Sequence, residues 1–400
     1  MSNPTIEQVK LLAAEISPLV REIRRHIHQH PEISFEEVKT SEYLQQQLDK
    51  AGITDKSIWV KTGILANIQG SSQGKTITLR GDMDALPIVE ENDCEYASVN
   101  KGLMHACGHD VHSACVLGAG IILNRLKQNW NGNVQLLFQP GEEKLPGGAS
   151  LMMKEGVFEA NPPGKLLAQH VYPNLPAGSV GFRPGKYMAS TDEIHIQIIG
   201  KGGHGALPHT LKDPVLAAAQ IIVSLQQVVS RYASPGMHTV LSIGKVIANG
   251  ATNIIPDTVE LQGTFRTLDE NWRMKAHEII HRIIQETAHA HGVKADIDIR
   301  KGYPALENDV DFTLNCIKEA KLYLGEDKVH ALDIRMTAED FAWFAQDYPV
   351  CFYRLGTSGE NGSHRTGVHS STFDIDESAL ETGIGLMAWL ALKELHQDRL

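Results

Sequence analysis

Hydrophobic residues in the first part of the chain follow helical spacing in some stretches and form compact runs in others. Apolar residues three and four positions apart predict helices at 6–30 and 36–51. Compact runs such as NVQLLFQP and KLLAQHV are typical of strands that are buried on both faces. A further helix is predicted at 110–127, with Asp110 as its N-cap. Strands that alternate with helices predict an α/β domain with a largely parallel sheet.

The pattern changes in the middle of the chain. The run EIHIQIIG alternates between apolar and polar residues, as expected for a strand with one solvated face. A helix at 213–232, two strand-like runs, a helix at 270–291 and a last strand-like run follow, which is the order of the ferredoxin-like motif. The sequence therefore predicts a mixed, largely parallel α/β domain at 1–186 and 301–400, with a smaller α+β domain inserted at 187–300.

Composition narrows the class of protein. A chain of 400 residues exceeds one typical core, in agreement with two domains. The net charge of −11, with no strongly basic segment, argues against nucleic acid or an anionic membrane as partner. The polar start MSNPTIEQVK does not resemble a signal peptide, and five cysteines without regular spacing do not indicate a disulfide framework. We expect a cytoplasmic enzyme.

Side chains of the types that bind metals occur at five separated places. In chain order they are Asp82 and Asp84; His105, Cys107, His109, Asp110 and His112; Glu142 and Glu143; His170; and His369. The aspartates, the glutamates and His170 come directly after predicted strands. Ligands of an open α/β sheet collect beyond the carboxyl ends of its strands. We therefore expect these groups to meet in one cleft.

The combination of imidazole, thiolate and carboxylate suits zinc, manganese or cobalt. The adjacent carboxylates of Glu142 and Glu143 are costly to bury without a cation. One of them is expected to bind metal, and the other to hold a metal-bound water and accept its proton. Two ions about 3.5–4 Å apart need a bridging ligand, for which Cys107 and Asp84 are both candidates. A structural role is favoured for His105 and His112.

Ten motifs follow one another along nearly the whole chain: RHIHQHPEISFEE, RGDMDALP, MHACGHDVH, QPGEE, GKGGHGALPH, DPV, TNIIPDTVELQGTFRT, GYPALEND, AEDFAWF and HSSTFDIDE. In this order they resemble the co-catalytic metallopeptidases, a family that includes aminoacylases, hippurate hydrolases, folate-cleaving carboxypeptidases and succinyl-diaminopimelate desuccinylase. The resemblance is strongest to the branch of N-acyl-amino-acid amidohydrolases with a cysteine in the metal site.

The resemblance implies a role for each of these residues. Cys107 matches the bridging ligand, a position that Asp holds elsewhere in the family, and Glu142 matches the general base. The other implied metal ligands are His109, Glu143, His170 and His369. Two divalent ions per subunit are implied, with zinc or manganese favoured and cobalt or nickel open. The roles of Asp82 and Asp84 stay open.

The stretch IGKGGHGALPH contains the G-x-G-x-x-G pattern of dinucleotide-binding loops. Pro208 and the following residues delay the next helix, and no acidic residue follows about 20 positions on, so a glycine-rich turn is favoured over a phosphate site. The resemblance implies that His204 hydrogen-bonds an oxyanion in the neighbouring subunit's site, and that Asn253 and Arg266 bind the substrate carboxylate. It also implies that the inserted domain is a lid through which subunits form a homodimer or a higher homo-oligomer.

The expected activity is hydrolysis of the amide bond of a small N-acyl amino acid or short peptide. An exopeptidase or dipeptidase of the same family is the first alternative. A metal-binding protein without catalysis is the second, although the intact Glu142–Glu143 pair argues against it. A nicotinamide-dependent enzyme is a third alternative, for which the glycine pattern is the only support.

Overall fold

Helices and strands alternate along much of the chain in the computed structural model, which describes residues 3–359 and 362–396. The helices are α1 (Ile6–Gln29), α2 (Val38–Lys50), α3 (His109–Arg125), α4 (Gly148–Lys154), α5 (Pro214–Leu225), α6 (Glu270–Ala290), α7 (Val310–Leu324) and α8 (Ala379–His396). The strands are β1 (Lys56–Trp59), β2 (Gly63–Gln69), β3 (Thr76–Asp82), β4 (Asn133–Gln139), β5 (Lys165–Pro176), β6 (Val180–Phe182), β7 (Gly185–Met188), β8 (Asp192–Ile199), β9 (Gly203–His204), β10 (Thr239–Ile247), β11 (Ile254–Ile255), β12 (Thr258–Thr267), β13 (Lys294–Lys301), β14 (Leu306–Asn308), β15 (Val329–Ala331) and β16 (Val350–Ser358).

The chain forms two compact units. The first consists of Met1–Gly185, Glu307–Asp333 and Trp343–Leu400, and the second of Lys186–Leu306 and Ile334–Ala342. The range predicted for the inserted domain lies within the second unit. Its role as a lid and as the site of dimerisation remains a prediction.

An eight-stranded mixed sheet organises the first unit, in the order β1-β2-β4-β3-β5-β16-β6-β15. The central strands β4, β3, β5 and β16 are parallel to their neighbours in this group, and β1, β2 and β6 add antiparallel pairs. The predicted fold class, an α/β domain with a mixed sheet, is confirmed. All residues of β4 and β16 are buried, which explains their continuous apolar runs.

Helix α3 is buried along almost its whole length and packs against α1 and α8. It begins at His109, with Gly108 as its N-cap, so the prediction that Asp110 caps it is wrong. The Asp110 carboxylate instead accepts hydrogen bonds from Arg24 Nε at 2.7 Å and from His28 Nδ1 at 2.8 Å. Because all three side chains are fully buried, this charge network ties the start of α3 to α1.

The second unit contains a four-stranded antiparallel sheet in the order β10-β12-β8-β13. Helices α5 and α6 pack on it. Strand β8 alternates between buried and more exposed residues, with Ile194, Ile196 and Ile198 in the core, as its sequence predicts. The connection β8-α5-β10-β12-α6-β13 is the predicted ferredoxin-like order.

A membrane-spanning helix is not found in the described parts of the chain, because no helix there is both long enough and apolar enough.

Candidate metal centre

Three strands of the large sheet carry or lead to candidate metal-binding residues. Strand β3 ends at Asp82, and β4 leads into the turn with Glu142 and Glu143. The sequence predicts that His170 ends a strand, but β5 continues beyond it because β16 pairs with its later residues. Arg80 of β3 pairs with Ala168 of the parallel strand β5. Asp82 and His170 each come two residues later, so they lie at the same height in the sheet.

The segment before α3 carries the thiol of Cys107 and the imidazole of His109, and both side chains are buried. Gly108 separates them with φ of +80°. A Cβ atom at this glycine would lie 2.6 Å from the side chain of Val171, so only glycine permits the close approach of this segment to β5.

Two groups of potential ligand atoms share Cys107. The first group is Cys107, His109 and His170, and its ligand atoms lie within 4.8 Å of one another. The second group is Cys107, Glu143 and His369, whose ligand atoms also lie within 4.8 Å of one another. Cys107 Sγ is 3.5 Å from His170 Nε2, and His369 Nε2 is 3.0 Å from Glu143 Oε1. The structure therefore brings the five predicted ligands together, with the thiol common to both groups.

His109 is oriented by a carboxylate. Its Nδ1 lies 3.1 Å from Asp84 Oδ1, and its buried Nε2 has no hydrogen-bond partner among the described residues. Asp84 Oδ2 also accepts hydrogen bonds from Ser34 Oγ at 2.6 Å and from the backbone N–H of Glu143 at 2.9 Å. A carboxylate that binds one ring nitrogen leaves the other free for a metal. Asp84 does not belong to any of the ligand groups of the described residues, and this geometry suits an orienting role.

His170 is held as a neutral ring. Its Nδ1 lies 2.9 Å from the carbonyl oxygen of Val171, to which it donates. Burial lowers the pKa of His170 well below its ordinary value, and the charge of Arg354 lowers it further. The lone pair of Nε2 is therefore available on the side that faces Cys107.

Buried negative charge favours a cation at this site. Burial lowers the pKa of His109, but the carboxylates of Asp82 and Asp84 outweigh it and raise that pKa to about 10. Burial raises the pKa of the Cys107 thiol well above its ordinary value, and the Glu143 carboxylate raises it further. A divalent cation would offset this charge and would give His109 Nε2 a partner, so the residues present fit a metal.

Asp82 and His112 are paired with each other beside these groups. Asp82 accepts hydrogen bonds from Arg80 Nη1 and from His112 Nδ1, each at 2.6 Å. His112 Nε2 accepts the backbone N–H of Val171 at 2.9 Å. Both ring nitrogens of His112 are thus used within the protein, which fits a structural role.

His105 is buried, and neither of its ring nitrogens has a partner among the described residues. Burial lowers the pKa of His105 to about 3, so the ring is neutral at pH 7. It does not belong to any ligand group within the described parts of the chain.

His369 adopts an unusual backbone conformation for a residue with a side chain. Its φ is +65°, and its backbone N–H donates to the carbonyl oxygen of Ala106 at 2.7 Å. This bond joins the loop of His369 to the segment that carries Cys107. Strained conformations of this kind are common at functional sites.

The remaining predicted site residues belong to the second unit. His204 and Asn253 are exposed and adjacent, because His204 of β9 pairs with Ile254 of β11 and the Gly205 N–H donates to the Asn253 carbonyl oxygen at 2.8 Å. Arg266 lies half-buried on β12, and burial lowers its pKa. Its guanidinium forms no ion pair with any residue that the structure describes.

The glycines around His204 permit close backbone contacts. A Cβ atom on Gly200 would lie 2.2 Å from the Lys212 carbonyl oxygen, and one on Gly202 would lie 2.3 Å from that of Ile255. Helix α5 begins only at Pro214. The geometry favours a turn over a phosphate-binding loop.

The chain belongs to peptidase family M20/M25/M40, because the model of that family matches residues 78–393. The resemblance to the co-catalytic metallopeptidases is thereby confirmed, and so is the predicted class of hydrolases acting on carbon–nitrogen bonds.

Similar proteins differ in the activity that their names state. An N-acyl-L-amino acid amidohydrolase of Geobacillus stearothermophilus is 40% identical over 76% of this chain and 82% of its own length. Thermostable carboxypeptidase 1 of Saccharolobus solfataricus is 36% identical over 97% of this chain and 98% of its own. The crystal structure of a dinuclear metal-binding peptidase of the M20 family from Bacillus subtilis superposes with a TM-score of 0.82 at 32% identity, over 96% of this chain and 100% of that one.

Proposed function

We propose that the protein hydrolyses the amide bond of N-acyl amino acids at a site with two divalent metal ions. The observation that carries this proposal is the sharing of Cys107 by two groups of ligand atoms, one of which contains Glu143, the neighbour of Glu142. The proposed ligands are Cys107, His109, Glu143, His170 and His369. Zinc and manganese are the favoured ions, with cobalt and nickel as further candidates.

Glu142 is the proposed general base. It is buried, and its carboxylate lies within 4.8 Å of ligand atoms of both His109 and Glu143. Bound divalent cations supply Lewis acidity for the substrate carbonyl and lower the pKa of water. Glu142 takes the proton of the attacking water and passes it to the leaving amine, first as base and then as acid.

Residues of the second unit are proposed to bind the rest of the substrate. His204 of one subunit donates a hydrogen bond to the oxyanion in the neighbouring subunit's site. Asn253 and Arg266 bind the free carboxylate of the amino acid, for which the planar fork of a half-buried guanidinium is well suited. Assembly as a homodimer or a higher homo-oligomer and a cytoplasmic location remain predictions from the sequence.

Metal removal and a substrate panel test this proposal. The protein is dialysed against a chelator, and zinc, manganese, cobalt or nickel is then restored separately. We expect chelation to abolish hydrolysis and at least one metal to restore it. We also expect hippurate or N-acetyl amino acids to be cleaved faster than dipeptides with a free amino group.

Faster cleavage of dipeptides would favour the exopeptidase activity that the name of the carboxypeptidase relative states. Metal binding without turnover of any member of the panel would favour a binding protein and would contradict the proposal.

A further inference from the structure

The stretch HPEISFEE, residues 30–37, contains a buried acid whose role is not explained by the metal site. Glu37 is the N-cap residue of α2, but its side chain does not cap that helix. Glu32 serves the helix instead, because its carboxylate accepts the backbone N–H groups of Lys39 at 3.2 Å and Thr40 at 2.9 Å. The fully buried carboxyl of Glu37 is therefore directed elsewhere.

Glu37 contacts three separate parts of the chain. Its Oε1 accepts the backbone N–H groups of Phe35 and Gly141, each at 2.8 Å. Its Oε2 accepts the hydroxyl of Thr62 at 2.9 Å. Buried N–H groups need a partner, so removal of the carboxyl would leave the Gly141 N–H unsatisfied.

Gly141 begins the turn that carries Glu142 and Glu143. Its φ is +60°, and its carbonyl oxygen accepts the N–H of Gly148 at 3.0 Å, which closes the turn. The N–H of Glu143 is held by Asp84, and Asp84 is held in turn by Ser34. Residues 34–37 thus support the turn at two of its backbone N–H groups.

We propose that Glu37 is a positioning residue that holds the Glu142–Glu143 turn through the Gly141 N–H. The inference rests on the proposed function of that pair. A displacement of a catalytic group by about 1 Å lowers a rate by on the order of 10²-fold, so a loosened turn is expected to impair proton transfer before it impairs substrate binding.

Substitutions at Glu37 and at its neighbour separate this role from a general loss of stability. Glu37→Ala is expected to lower kcat by about 10–100-fold with KM within about threefold of the wild type. Burial, followed by the charge of Asp84, raises the pKa of Glu37 to about 7, so a neutral amide is a close substitute. In Glu37→Gln the amide oxygen can accept both backbone N–H groups, and the amide N–H can donate to the Thr62 hydroxyl oxygen, so kcat is expected to return to within about threefold of the wild type.

Glu36→Ala is the matched control, because Glu36 has an exposed side chain in the adjacent position and is expected to behave as the wild type. If Glu37→Ala does not fold, Glu37→Asp keeps a carboxyl group but shortens its reach to the Gly141 N–H, and gives the same comparison.

Hydrogen exchange tests the inference without any need for activity. In the metal-free protein, the peptide that spans residues 138–147 is expected to exchange about tenfold faster in Glu37→Ala than in the wild type, and at the wild-type rate in Glu37→Gln. Unchanged exchange in Glu37→Ala, or an equal increase in Glu37→Gln, would overturn the role of Glu37. Failure of the wild type to hydrolyse N-acyl amino acids would instead count against the proposed function, since the exchange comparison does not depend on it.

Discussion

Replacement of Glu142 by glutamine is expected to lower kcat by about 10²–10⁴-fold while the metal content stays at the wild-type level. Glutamine has nearly the same shape but cannot accept a proton at neutral pH. Glu142 is buried beside the proposed ligands His109 and Glu143, and it is absent from both groups that contain Cys107. Its loss should therefore remove the general base and leave the ions in place.

The measurement combines steady-state kinetics on an N-acetyl amino acid with metal analysis by mass spectrometry. Glu42→Gln, at an exposed position on α2, is the matched control and should keep wild-type kinetics. A metal-loaded Glu142→Gln protein with turnover close to that of the wild type would refute the assignment of Glu142.

Replacement of Cys107 by alanine should have the largest effect on metal binding. Its thiol belongs to both groups of ligand atoms, so its removal takes a ligand from each. Changes to residues that only orient metal ligands lower metal affinity by about 10–100-fold, and loss of a shared ligand should reach or exceed the upper end of that range. Cys107→Asp is expected to keep the metals, because a carboxylate also binds zinc and manganese.

Calorimetric titration of the chelated protein with zinc or manganese measures this effect. Cys94→Ser is the control, since Cys94 is a partly exposed free cysteine that belongs to none of the ligand groups of the described residues. Binding of two ions by Cys107→Ala with wild-type affinity would exclude the bridging role.

Fold class and ligand types could be predicted from the sequence because they depend on local properties. The spacing of apolar residues along the chain distinguishes strands from helices, and the βαββαβ order of the second unit follows from that spacing alone. The position of His170 was harder to predict. Its strand extends to Pro176 because β16 pairs with it, and β16 lies far away in sequence.

The hydrogen bonds that orient the site could not be predicted, because they join distant segments. Asp84 accepts bonds from Ser34 and Glu143, which lie 50 and 59 positions away. Glu37 holds Gly141 across 104 positions. The sequence predicts Asp110 as a helix N-cap because Asp is common at that position, but in the structure its carboxylate pairs with the buried guanidinium of Arg24.

Anomalous diffraction from crystals grown with zinc or manganese tests the metal centre most directly. We predict two anomalous peaks that both lie within bonding distance of Cys107 Sγ, about 2.3 Å for zinc, with His109 and His170 at one ion and Glu143 and His369 at the other. Peaks remote from Cys107, or ions bound with Cys107 outside the coordination sphere, would contradict the proposed metal site.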